Sequence, residues 1–192
     1  MGDGRRRATR AALAVLPVLV LAACGDDPEG EPPDFTDEEV ALWNPCDVLD
    51  AKDVERAFGS VAEEENGTET APDCRFAPDE ESGQAVVSVN YQLAPAGLEQ
   101  LWGTMGQPKG ADVTDPVIAE ADAAKVVVSV VKKQLYVSGF VQNGDLVQLV
   151  NVVDPEPYDE ARVARGVRQV LTTLSQHAAE SGVNQTRTPT GH

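Results

Sequence analysis

Residues 125–153 read KVVVSVVKKQLYVSGFVQNGDLVQLVNVV. Three apolar runs stand out: Lys125–Val131, Gln134–Gln142 and Asp145–Val153. Each has the length and the Val, Tyr and Phe content of a strand. Asn143-Gly144, between the last two, is a strong hairpin signal and predicts a type I′ turn, whose central residues both need positive φ. A hairpin joins antiparallel strands, whereas parallel strands need a long crossover. The sheet is therefore expected to be antiparallel here.

The last run is apolar on both sides. Leu146, Val150 and Val152 fall on one face, and Val147, Leu149 and Val153 on the other. Residues 126–131 behave the same way. A strand of this kind needs cover on both faces. Helices supply that cover, or one face lines a cavity or meets a partner. Tyr136 and Phe140 share a face of the middle strand. Trp102, Tyr136, Phe140 and Leu149 are accordingly candidates to line a ligand site. The alternative for all four is ordinary core.

Outward from this region the pattern alternates between helix and strand. Asp154-Pro155-Glu156-Pro157 ends the sheet, and a long helix follows from Tyr158 to Ala178. Its stripe is Val163, Val167, Val170, Leu171 and Leu174, with Arg162, Arg165 and Arg168 on the other side. Upstream, GLEQLWGTMG spaces Leu98, Leu101, Trp102 and Met105 as a short helix closed by Gly106. AVVSVNYQL, residues 85–93, alternates as a strand with Ala85, Val87, Val89, Tyr91 and Leu93 inward. Asp73–Ala77 reads as another strand, and the rest of 60–83 as acidic loop. Asp50 caps a helix over 51–58 that Gly59 terminates. The order α-β-β-α-β-β-β-α predicts an α+β fold, a twisted and mainly antiparallel sheet of about five strands with helices packed on it. One domain over 41–178 is expected.

The N-terminus reads differently. MGDGRRRATR is basic, and Ala11–Ala23 follows without a charge. That run is too short for a bilayer span, which needs about 20 apolar residues, and Pro17 interrupts it. A basic start, a short apolar centre and a small-residue end are the marks of a secretory signal peptide over 1–23. Leu21-Ala22-Ala23-Cys24 resembles the bacterial lipobox, in which the cysteine takes a diacylglyceryl group and becomes the first residue. This implies lipid attachment at Cys24 and an anchor on the outer face of a bacterial cell membrane. Two or three acyl chains hold durably where one does not. Residues 24–40 then form an acidic, Pro-rich tether: eight of residues 25–40 are Asp or Glu and three are Pro, a composition that cannot bury enough apolar surface to order itself. Residues 179–192 lack apolar periodicity and read as a flexible tail.

The formal charge is −17. Loss of residues 1–23 removes four arginines and one aspartate and takes it to −20. Affinity for phosphates rests on Lys and Arg, so nucleic acid is excluded as a partner. Apart from Cys24, the cysteines are Cys46 and Cys74. In an exported domain two such thiols form a disulfide, worth about 3–4 kcal/mol. A redox or metal pair would want CxxC spacing or histidine, and only His177 and His192 are present. No Gly-rich phosphate loop or Ca²⁺ loop pattern occurs, and neither histidine sits where a packed scaffold would hold it for triad chemistry. A pair of glycosidase carboxylates is the one hydrolytic device that residue types alone leave open. The chain thus reads as non-enzymatic, with no metal or cofactor implied.

Asn44-Pro45-Cys46-Asp47-Val48-Leu49, then Val54 and Phe58-Gly59, then Cys74 beside Phe76, resembles an actinobacterial lipoprotein family catalogued as domain of unknown function 3558. Val48 stands where that family has leucine, and Phe76 where tryptophan is common. A more distant likeness is to the disulfide-linked extracellular sensor domains of mycobacterial Ser/Thr kinases. The resemblance implies location and fold type and brings no catalytic residues. The expected function is a lipid-anchored envelope domain, sensor-like, that binds an apolar small molecule or an envelope protein. The alternatives are a carrier of lipids or other apolar molecules in a cavity between sheet and helix, and a cell-wall hydrolase.

Overall fold

The computed structural model describes residues 44–68, 71–106 and 108–182. The signal peptide expected over 1–23 with Cys24, the tether expected over 24–40 and most of the tail expected over 179–192 lie outside these residues. Three helices, α1 (Ala51–Phe58), α2 (Gly97–Thr104) and α3 (Glu160–Ser181), accompany seven strands: β1 (Glu63–Thr68), β2 (Ala71–Ala77), β3 (Val86–Leu93), β4 (Asp112–Thr114), β5 (Ala123–Val131), β6 (Gln134–Asn143) and β7 (Leu146–Pro155). All seven form one antiparallel sheet in the order β1-β2-β3-β7-β6-β5-β4. The chain makes two meanders, β1–β3 and β4–β7, and the outer strand of each meets at the β3–β7 seam.

The α+β class holds, with two strands more than the sequence pattern indicates. Both are edge strands. Glu63–Thr68 reads as acidic loop because EEENGT has no apolar alternation, yet it pairs with β2 from Glu63↔Ala77 to Thr68↔Ala71. Charge on an edge strand also discourages pairing with another chain. β4 is three residues long and pairs Val113 with Val127. The last helix runs to Ser181, past the expected Ala178, and ends at Gly182 with φ +72°.

Helix α1 spans the predicted residues because both ends are written locally. Asp50 Oδ1 accepts from Asp53 N at 2.9 Å, Asp53 Oδ2 accepts from Asp50 N at 3.2 Å, and Gly59 closes the helix at φ +68°. Val54, Ala57 and Phe58 point inward. The Cys46–Cys74 disulfide, Cα–Cα 5.2 Å across a sequence separation of 28, ties the 3₁₀ turn before α1 to β2.

One face of the sheet is packed shut. Val163, Val167, Leu171 and Leu174 of α3 are fully buried, as are Val87, Val89, Val126, Val137, Val141 and Val150 beneath the helices. Two glycines permit the close approach. A methyl group at Gly139 would strike Val167 and come within 3.0 Å of Leu171. One at Gly166 would lie 2.6 Å from the Ala57 carbonyl and from Phe58. On β3, Val87 and Val89 face this core as expected, but Leu93, at the strand end beyond the last residue paired with β2, is 54% exposed.

The β6–β7 turn is shifted by one residue from the predicted Asn143-Gly144. Asn143 pairs with Leu146, so Gly144-Asp145 form the loop, and of the two only Gly144 has positive φ (+59°). That is a type II′ geometry. Asn143 is instead drawn inside, where its Nδ2 donates to Glu120 O at 2.7 Å and to Ser175 Oγ at 2.9 Å, and its Oδ1 accepts from Gln148 Nε2 at 3.3 Å. Tertiary hydrogen bonds to a buried amide outweigh the local turn preference. The positive-φ pair is Lys132-Lys133, at +50° and +68°, between β5 and β6.

Candidate functional site

Among the described residues, the opposite face of the sheet is covered only in part, by α2. Leu98 is fully buried and inserts among Val127, Phe140 and Val147. Gln142 fixes the start of the helix, its Oε1 accepting from Leu98 N at 2.8 Å while its Nε2 donates to Gly144 O at 2.8 Å. Gly97, at φ +81°, lets the backbone pass within van der Waals distance of that amide.

Lys125, at the head of β5, fastens the helix from below. Its side chain is 9% exposed, yet Nζ lies 2.8 Å from Glu99 Oε1 and 3.0 Å from Asp115 Oδ1. The two carboxylates, 75% and 71% exposed, come from α2 and from the loop after β4. Nζ also sits 5.5 Å from the centre of the Trp102 ring. Hydrogen bonds to Glu99 and then Asp115 raise the lysine pKa against the opposing effect of burial. One cation thus joins three elements around Trp102. In the sequence Lys125 reads only as the polar start of an apolar strand; its isolation ahead of VVVSVV was the available signal.

Beside α2 the cover stops and a groove of about 360 Å³ opens. This is within the size range of ligand sites. Trp102 of α2 and Met105 just after it line the groove with Val127 and Ser129 of β5 and Tyr136, Ser138 and Phe140 of β6. Trp102 meets Phe140 edge-on, with centroids 5.7 Å apart and planes at 78°. Tyr136 OH donates to Gln134 Oε1 at 2.8 Å, and Ser138 Oγ to Asn151 Oδ1 at 2.8 Å.

Trp102, Tyr136 and Phe140, named from the sequence, meet in this groove. Leu149 does not line it; half-buried, it packs against the cluster under α2. Ser129, Ser138 and Met105 were not named. The serines carry no periodic signal, and their placement follows from register: Ser138 lies beside Val127 and Ser129 beside Tyr136.

Cys46, Cys74 and Glu64 also converge. The two sulfurs are bonded to each other, so no thiolate remains there to complete a metal site with the carboxylate. Protein-family models give no match to the sequence, and curated proteins give none either.

Proposed function

We propose that the chain is a lipid-anchored, extracytoplasmic lipoprotein of the cell envelope whose folded domain binds a ligand or partner without catalysing a reaction. The observation that carries the binding part is the open groove against Trp102, Phe140 and Tyr136. The lipobox at Cys24 and the acidic tether carry the location. The relationship to the actinobacterial lipoprotein family belongs to the same proposal.

Among the described residues, the groove lining contains hydroxyls and apolar groups but no carboxylate, histidine or lysine. This supports binding over a hydrolase. A lipid carrier would want an enclosed cavity under the last helix, and the interface there is filled around Gly139 and Gly166. The open groove favours a ligand presented from outside.

Two readouts test the proposal on one preparation. Metabolic labelling with an alkynyl fatty acid is expected to mark the wild-type chain and to leave Cys24→Ser unmarked. Nile red, a neutral apolar probe, is expected to brighten with the processed chain and to lose that response in Trp102→Ala. An unlabelled wild-type chain overturns the anchor, and an unchanged dye response overturns the groove.

A further inference from the structure

The groove is one end of a larger face that no helix of the described residues covers, and its composition is unusual. Pairing register places Ser138, Asn151, Ser88 and Arg75 side by side across β6, β7, β3 and β2, with Glu65 next on β1. Asn90 and Leu149 form the adjacent row, between Asp73 and Phe140. Ser88, Asn90, Asn151 and Ser138 are all partly exposed. On β3, β7 and β6 no residue of this face is Asp, Glu, Lys or Arg, although 24% of the chain is charged and 32 residues are acidic. Charge returns at the margins: Glu63, Glu65, Arg75 and Asp73 on β1 and β2, Asp79 and Glu80 in the loop before β3, and the ion-paired Lys125 on the other side.

An ordinary solvated sheet face carries charged side chains and good strand formers. Asn is a poor strand former, yet Asn90 and Asn151 occupy two central strands here. An uncharged face on so acidic a molecule matches an uncharged occupant. A basic protein would be drawn to the acids elsewhere, and a lipid tail would strip water from this row of amides and hydroxyls, within which Ser138 Oγ already donates to Asn151 Oδ1. Aromatic rings at one end, then hydroxyls and amides recurring at the strand spacing of about 4.8 Å, suit a chain of rings, each with a C–H face and a hydroxyl-bearing rim.

We infer that this face binds a neutral glycan strand of the cell envelope, with one sugar ring in the groove against Trp102 and the chain crossing the sheet over Ser138, Asn151 and Ser88. The inference rests on the envelope location and the groove proposed above. Asn151 and Ser88 are specificity-determining residues in this scheme.

The test uses the full processed chain in neutral detergent, run by native affinity electrophoresis through gels containing an N-acetylglucosamine oligosaccharide conjugate, a soluble β-glucan or a mannan. Retardation by at least one glycan is expected, weakened about tenfold, or about 1.4 kcal/mol, by Trp102→Ala and by Asn151→Asp. Binding between uncharged surfaces should change less than about twofold from low to high salt. Ser88→Asp, at a partly exposed site, repeats the test if Asn151→Asp fails to fold. Retardation by none of the three glycans overturns the inference. So does retardation that salt abolishes, or that the folded aspartate variants leave unchanged. Retardation by polylysine alone points to a basic protein instead and also overturns it. If Nile red still reports Trp102 while every glycan fails, the groove stands and only the glycan falls; if both fail, both fall.

Discussion

The two faces of this sheet are built from the same strands and end up opposite in character. Under α3 the side chains are fully buried and pack closely, down to two glycines whose missing side chains would meet Val167, Leu171, Ala57 and Phe58. On the other face a helix of eight residues is held by Leu98, Gln142 and Lys125, and no other helix of the described residues lies over the sheet beyond it. β7 shows the division within one strand: Val150 and Val152 are buried under α3, while Asn151 and Val153 are only half-buried on the other side. A filled core face tolerates little change in volume, whereas a partly exposed face can lose mass with less loss of stability.

The largest effect should come from truncating α3. Leu171→Ala is expected to lose about 3–5 kcal/mol in urea denaturation, the range for a buried leucine in a filled core. Trp102→Ala removes a larger side chain but should lose only about 1–2 kcal/mol, because the indole is already half-exposed beside open space. Equal losses would break the comparison. Next, Gly139→Ala should destabilise by about 1–3 kcal/mol through overpacking. Gly166→Ala sharpens the point: a helix interior normally gains about 1 kcal/mol from that exchange, and here the clash with the Ala57 carbonyl should reverse the sign.

Asp154 is the one carboxylate placed on the closed face of β7. It is 4% exposed, and its Oδ2 has no hydrogen-bond partner among the described residues. Burial raises its pKa, and the Arg162 charge only partly offsets this. Because the folded pKa lies above the unfolded value, the stability this group contributes is present at acid pH and lost as pH rises through the folded pKa. Asp154→Asn should therefore stabilise by about 1 kcal/mol at neutral pH, and the gain should shrink toward acid pH. A gain independent of pH would contradict the assignment.

The smallest effect belongs to the β5–β6 turn, where Lys132 and Lys133 hold positive φ. Lys132→Asn with Lys133→Gly should raise stability by about 0.5–1 kcal/mol. The exposed Lys133–Glu156 ion pair lost in the exchange is worth little.

Much of this architecture is legible in the residues. The helix at 51–58 carries its own start and stop signals, and the apolar runs of the three C-terminal strands announce themselves. The acidic edge strand is not legible, since EEENGT joins the sheet through backbone pairing that no side-chain period records. Nor is the turn at Asn143, where an amide that suits a hairpin locally is recruited by Ser175 and Gln148. Of the site, the aromatics were visible as unusual large residues on one face. The polar ladder was not, because Ser88, Asn151 and Ser138 become neighbours only through a register that joins β3 to β7, strands far apart in sequence.

The central claim is that binding belongs to the face opposite α3. Side-chain amide resonances of the nitrogen-15-labelled processed chain test it directly during titration with pooled neutral envelope polysaccharide. Asn90, Asn151 and Gln134 are predicted to shift while Asn143 and Gln148, buried under α3, stay still. Shifts confined to Asn143 and Gln148, or no shift in any of the five, would contradict it.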